Sequence, residues 1–67
     1  MPQTRWNAYR FPSSMAFLRP PVRAKAIEFA NALVAEGRAE PEALRIAIER
    51  ARQWDKRRAR GLAQEYF

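Results

Sequence analysis

The sequence predicts an all-α protein: an antiparallel helical hairpin with a short N-terminal helical turn and an aromatic arm packed across it. Three observations carry this. Residues 20–37, PPVRAKAIEFANALVAEG, open on a proline pair, close on a glycine and place apolar residues at helical spacing in between. Glu40-Pro41 then restarts the pattern, and nothing interrupts it before Gly61. Between the two runs lie only four or five residues, a length that favours antiparallel neighbours.

The elements follow in chain order within one small helical domain spanning residues 1–67. Residues 1–19 form the arm, with Trp6, Tyr9, Phe11, Met15, Phe17 and Leu18 as its apolar groups. Ser13-Ser14 is placed to cap a short turn over Ser14–Leu18. The first helix is expected at about 21–36, because proline is tolerated at a first helical position, where no amide hydrogen is needed. Gly37 suits a left-handed stop. The second helix is expected at about 41–60, with Glu42 in its first turn opposing the positive end of the helix dipole. Residues 61–67 are expected to be a flexible tail.

At 100° per residue, the first helix gathers Val22, Ala26, Ile27, Phe29, Ala30, Leu33 and Val34 into an arc about 160° wide. A single neighbouring helix leaves part of such an arc uncovered. The arm is the nearest cover and a second copy of the chain is the rival. The arm is favoured, because its aromatic groups left loose would form an exposed apolar patch; a monomer is therefore favoured over a homodimer. The second helix aligns Ala43, Leu44, Ala47, Ile48, Ala51 and Trp54, and its alanines permit close approach. Trp54 is read as a core residue rather than a base-stacking one. The stripe stops there, so the helix end should project or fray.

Composition narrows the chemistry. The 67 residues contain no Cys and no His. Disulfides, thiolate metal sites and thiol nucleophiles are excluded, and so is the commonest general base. No cofactor or metal is expected. Gly37 and Gly61 are the only glycines, too few for a glycine-rich phosphate loop. A bilayer crossing needs about 20 apolar residues, and no such run exists. The polar, aromatic opening MPQTRWNAYR lacks the apolar region of a signal peptide. The expectation is a cytoplasmic protein with no membrane partner.

The net charge is +6, and it sits at the two ends of the chain. Residues 1–19 carry Arg5, Arg10 and Arg19 with no acid, and residues 56–67 carry Lys56, Arg57, Arg58 and Arg60 against Glu65. The middle is balanced. On the second helix Arg45, Glu49, Arg52, Lys56 and Arg60 fall within about 80° of one another. A basic stripe of that kind can follow a phosphate backbone. The plainer reading is a solvated face: Glu49 stands between Arg45 and Arg52 at pairing distance, and cations in a last helical turn complement the dipole. Trp6 and Tyr9, flanked by Arg5 and Arg10, carry a weak single-strand-binding signature, with anchoring of the arm as the plainer alternative.

Two other readings fail on their chemistry. Glu36, Glu40 and Glu42 cluster at the hairpin turn, but paired carboxylates act as acid and base only in a pocket that separates their pKa values. A solvated turn is no such pocket, and the chain is not expected to be an enzyme. A DNA-binding helix-turn-helix would present the start of the second helix to phosphates, and there Glu40 and Glu42 would oppose them.

Residues 11–37, FPSSMAFLRPPVRAKAIEFANALVAEG, and residues 46–54, IAIERARQW, resemble the YdaT-like family of small uncharacterised bacterial proteins. The matching pattern is an aromatic-Pro-x-Ser lead, a VRxKAIExANAL helix, a Glu-Gly stop and an AI-rich helix ending in Trp. It covers about two-thirds of the chain. The turn departs from it, reading RAEPE where the family carries a second Gly, and the basic tail from Lys56 lies outside it. The resemblance implies a bacterial, mostly helical protein of unassigned function, with no catalytic residues to carry over.

The first functional expectation is a non-enzymatic module binding an unidentified protein or itself, through the apolar face around Ile27, Ala30 and Val34. The second is weak, sequence-independent nucleic-acid binding through Arg45, Arg52, Lys56, Arg57 and Arg60, helped by Arg5 and Arg10.

Overall fold

A computed structural model describes residues 5–65, with side chains to residue 60. Two helices pack against each other, α1 (Pro20–Ala35) and α2 (Glu40–Glu65), preceded by a 3-10 turn at Ser13–Met15. No strand forms among the described residues. The helices are antiparallel. Arg19, capping α1, donates to Asp55 late in α2 at 2.7 Å, while Arg38 and Glu42 pair across the turn at 2.9 Å.

Local chemistry sets most boundaries. Pro20 and Pro21 occupy the first positions of α1, and the first helical amide to bond, that of Arg23, donates to the Arg19 carbonyl at 2.8 Å. Gly37 closes α1 with φ of 99°, a conformation that costs a side chain bearing Cβ far more than glycine. The Gly37 amide donates to Val34 at 2.9 Å and the Arg38 amide to Leu33 at 3.1 Å, the paired bonds of a Schellman stop. Glu40 and Glu42 occupy the first turn of α2.

Two boundaries differ from expectation. The serines do not cap the short turn: Pro12 holds the capping position with no side-chain bond, and the turn is a 3-10 piece of three residues. The second helix does not end at residue 60. It continues through Gly61 to Glu65. One glycine in a helix costs only about 1 kcal/mol relative to alanine, and Ala59, Arg60, Leu62 and Ala63 around it are good helix formers. Of the tail expected at 61–67, residues 66–67 lie outside the described residues.

The core lies between the helices and under the arm. Val22, Ala26, Ile27, Ala30 and Leu33 of α1 are buried against Ala43, Ala47 and Ala51 of α2. The alanines recur every four residues, so one narrow stripe of small side chains faces α1. Met15 and Leu18 of the arm complete the buried cluster, and Trp6 and Phe11 pack on it half-buried.

Polar contacts fix the arm on α1. The Trp6 amide donates to Asn31 Oδ1 at 3.0 Å, and Asn31 Nδ2 returns a bond to the Trp6 carbonyl at 2.9 Å. Arg23 donates to the carbonyls of Met15 (3.2 Å), Ala16 (3.2 Å) and Leu18 (2.8 Å). Its guanidinium also covers the Phe11 ring, 4.7 Å from the centroid. Tyr9 and Phe17 do not join this packing, being 94% and 63% exposed. Met15 and Leu18, three residues apart in a tight turn, share its inner face, so Phe17 between them is turned outward.

Three expected positions are corrected. Ile27 and Ala30 are buried inside the hairpin, at 7% and 0% exposure, because the helices close over them. They offer no surface to a partner, and of the expected apolar face only Val34 stays half-buried. Trp54 is also half-buried and lies outside the core cluster, with the cations of Lys25 and Arg58 over its ring. Of the membrane question the structure says one thing: among the described residues no helix is long and apolar enough to cross a bilayer.

Candidate functional site

The open end of the hairpin is where charge and aromatic groups meet. Past Ala51 the inward line of α2 passes to Trp54 and Arg58, three and seven residues on. Trp54 lies between two cations: the Arg58 guanidinium is 4.7 Å from its ring centroid, and Lys25 Nζ is 5.4 Å away. Lys25 Nζ is also 5.7 Å from the Phe29 centroid, which places it between the two rings. Phe29, Trp54, Arg50, Gln53, Arg57 and Arg58 line an open concavity of about 650 Å³. Gln53 and Arg57 also border a smaller hollow with Lys56 and Arg60, so the two share an edge.

A third hollow lies on another part of α2, lined by Arg45, Ile48, Glu49 and Arg52. There Glu49 makes no ion pair with Arg45 or Arg52 among the described residues, against expectation. Two physical reasons apply. A cation four residues before an acid is the poorer orientation of such a pair. Arg52 is also drawn elsewhere, its guanidinium 5.2 Å from the Phe17 centroid.

The expected nucleic-acid residues are thus divided. Arg45, Arg52, Lys56, Arg57 and Arg60 are all exposed on α2, but Arg57 turns toward Trp54 while Arg52 lies over Phe17 of the arm, with Arg45 sharing its hollow. Arg5 is not brought to them: it pairs with Glu40 at the turn end of the hairpin. Arg10 belongs to a turn held by Asn7, whose Oδ1 accepts from the amides of Tyr9 and Arg10 at 2.8 and 2.9 Å. At the hairpin turn, Glu40 and Glu42 are engaged by Arg5 and Arg38.

Sequence reasoning missed Arg50, Arg58 and Phe29 as site residues. A signal was present in the spacing: positions 50, 54, 57 and 58 are helical neighbours, so the run RARQWDKRR places three arginines around one Trp. Chemically the concavity offers guanidinium groups to an oxyanion, with Arg58 already shared with Asp55 at 3.4 Å. Arg50 and Arg57 make no ion pair among the described residues.

No protein-family model matches the chain, and no solved structure does. Among curated proteins it is similar to the uncharacterized protein YdaT of Bacillus subtilis (strain 168), with 43% identity over 49 residues. That match covers 73% of this chain but 33% of the relative, so the chain spans about a third of its length. Along those 49 residues the chain belongs to the YdaT-like family.

Proposed function

We propose that this protein is a non-enzymatic cytoplasmic module that holds the phosphate backbone of nucleic acid, without sequence preference, on the second half of α2. One observation carries the reading. Residues 50–60 hold Arg50, Arg52, Lys56, Arg57, Arg58 and Arg60 against Asp55 alone, and α2 runs on to Glu65 with no basic residue in its last turn. The helix dipole acts only within the last turn, so it does not account for cations placed upstream. Asp55 is itself engaged by Arg19 and Arg58. Arg50, Arg52, Arg57 and Arg60 are exposed residues, and Arg is suited to bidentate contact with phosphate oxygens.

The test is a titration of isotope-labelled protein with a mixed-sequence DNA duplex and an RNA single strand, read by NMR amide shifts at low and near-physiological salt. Shifts should cluster on residues 45–60 and shrink as salt rises. An absence of shifts at low salt would sink the reading.

A protein-interaction module is the second reading, favoured by the exposed rings of Tyr9 and Phe17. Apolar association survives added salt, whereas phosphate contact does not, so the same titration separates the two.

A further inference from the structure

We infer that the nucleic acid is single-stranded and that Phe17 is the platform on which one of its bases stacks. This rests on the phosphate-binding reading above and adds a base-binding residue to it. Phe17 projects from the arm with 63% of its surface exposed, and one ring face is covered by the Arg52 guanidinium, 5.2 Å from the centroid. Arg52 shares a hollow with Arg45, and Lys56 follows one turn later on the same outer strip of α2. An aromatic ring is thereby set beside a line of cations, the pairing that binds single strands: cations follow the backbone while the ring takes an unpaired base of any identity. In a duplex the bases are stacked inside and their faces are not available to a ring.

Of the aromatic groups near α2, Phe17 fits best. Trp54 is half-buried and already has both Lys25 and Arg58 within cation–π distance of its ring. Phe29 is half-buried, where Phe17 is exposed. Glu49 is the one acid lining the hollow, and Arg45 and Arg52 outnumber it there. The Arg52 guanidinium on one face of Phe17 holds the ring by cation–π attraction and leaves the other face to a base.

The experiment measures fluorescence anisotropy of the full chain with labelled 12-nucleotide probes: oligo-dT, oligo-rU, and an abasic deoxyribose-phosphate oligomer that keeps the phosphates and lacks the bases. Base stacking on an aromatic residue is lost on alanine substitution with a penalty equivalent to roughly 5- to 100-fold in affinity. Phe17→Ala should therefore weaken dT and rU binding by a factor in that range and leave the abasic probe within about twofold. Phe17→Trp should restore both, and Lys56→Gln, a change on the same strip away from the ring, should weaken all three probes alike. Phe17→Ala binding dT as tightly as the parent chain, or losing the abasic probe equally, would overturn the inference while phosphate binding stands. If no probe binds at low salt, the phosphate-binding reading itself fails. Circular dichroism of each variant confirms that the helices persist.

Discussion

Among the described residues, Arg23 makes more hydrogen bonds between elements than any other side chain. It spans from α1 to three carbonyls of the arm and covers Phe11. Of the three carbonyls, that of Met15 also accepts from the Leu18 amide at 3.1 Å, while those of Ala16 and Leu18 lie just past the 3-10 turn and take their bonds from Arg23. A guanidinium serves them all because its donors are splayed in one plane, and it stacks on the ring with the same plane. An ammonium at the end of a flexible chain does neither as well. Arg23→Lys should therefore lower stability by about 1–2 kcal/mol, the scale of lost hydrogen bonds to a charged donor at a partly exposed site. Urea unfolding checks it, with Arg45→Lys on the exposed face of α2 as the neutral control. Equal midpoints for both variants would mean that burial of Met15 and Leu18 alone retains the arm. None of this was legible in the sequence. Arg23 there is one cation in a balanced segment, and Asn31 is one polar residue in an apolar run. Their partners are backbone groups of an irregular segment, which leave no residue pattern behind. Trp54 misled for a related reason: periodicity reports which side of α2 it occupies but not that Lys25 and Arg58 stand over its ring.

The two helices were legible because their signals are local. Proline pairs, a glycine stop and acidic first turns act within a few residues, and the structure keeps each within a residue or two of its expected place. The far end of α2 was not legible in the same way. Gly61 suggests a stop, but a glycine stops a helix only where the chain gains by turning left-handed, as at Gly37 between two packed helices. Among the described residues no further helix follows Gly61, and α2 continues through it to Glu65. At 1.5 Å per residue, α1 is about 24 Å long and α2 about 39 Å, so the last turns of α2 outrun their packing partner. Helix there should be marginal and uncoupled from the core. Gly61→Ala should raise helicity by far-UV circular dichroism and increase amide-exchange protection around residue 61 roughly fivefold, the equivalent of about 1 kcal/mol. The global unfolding midpoint should hardly move, because the core opens without involving that segment. A midpoint rising by the full amount would show the end of α2 to be packed and cooperative with the rest.

Across the whole molecule, charge is sorted by position along an elongated body of 42 × 23 × 22 Å. Glu36, Glu40 and Glu42 stand at the turn end, while residues 50–60 hold six cations to one acid at the open end. A net charge of +6 spread evenly would attract any polyanion weakly; sorted this way, it orients the approach of one. The distinction is measurable through counterion release. If Arg50, Arg52, Lys56, Arg57 and Arg60 each neutralise a phosphate of a single strand, log K against log salt should fall with a slope of about −3.5. Replacing Arg50 and Arg57 together by Gln should flatten that slope by about 1.4, two phosphate contacts' worth. Replacing Arg38 and Arg5 at the turn end by Gln removes the same net charge far from the cationic run, and should leave the slope unchanged. The two double variants therefore separate a placed binding surface from net charge alone. Equal flattening in both would mean that the polyanion meets only the protein's total charge, and that the clustering of arginines around Trp54 has no part in holding it.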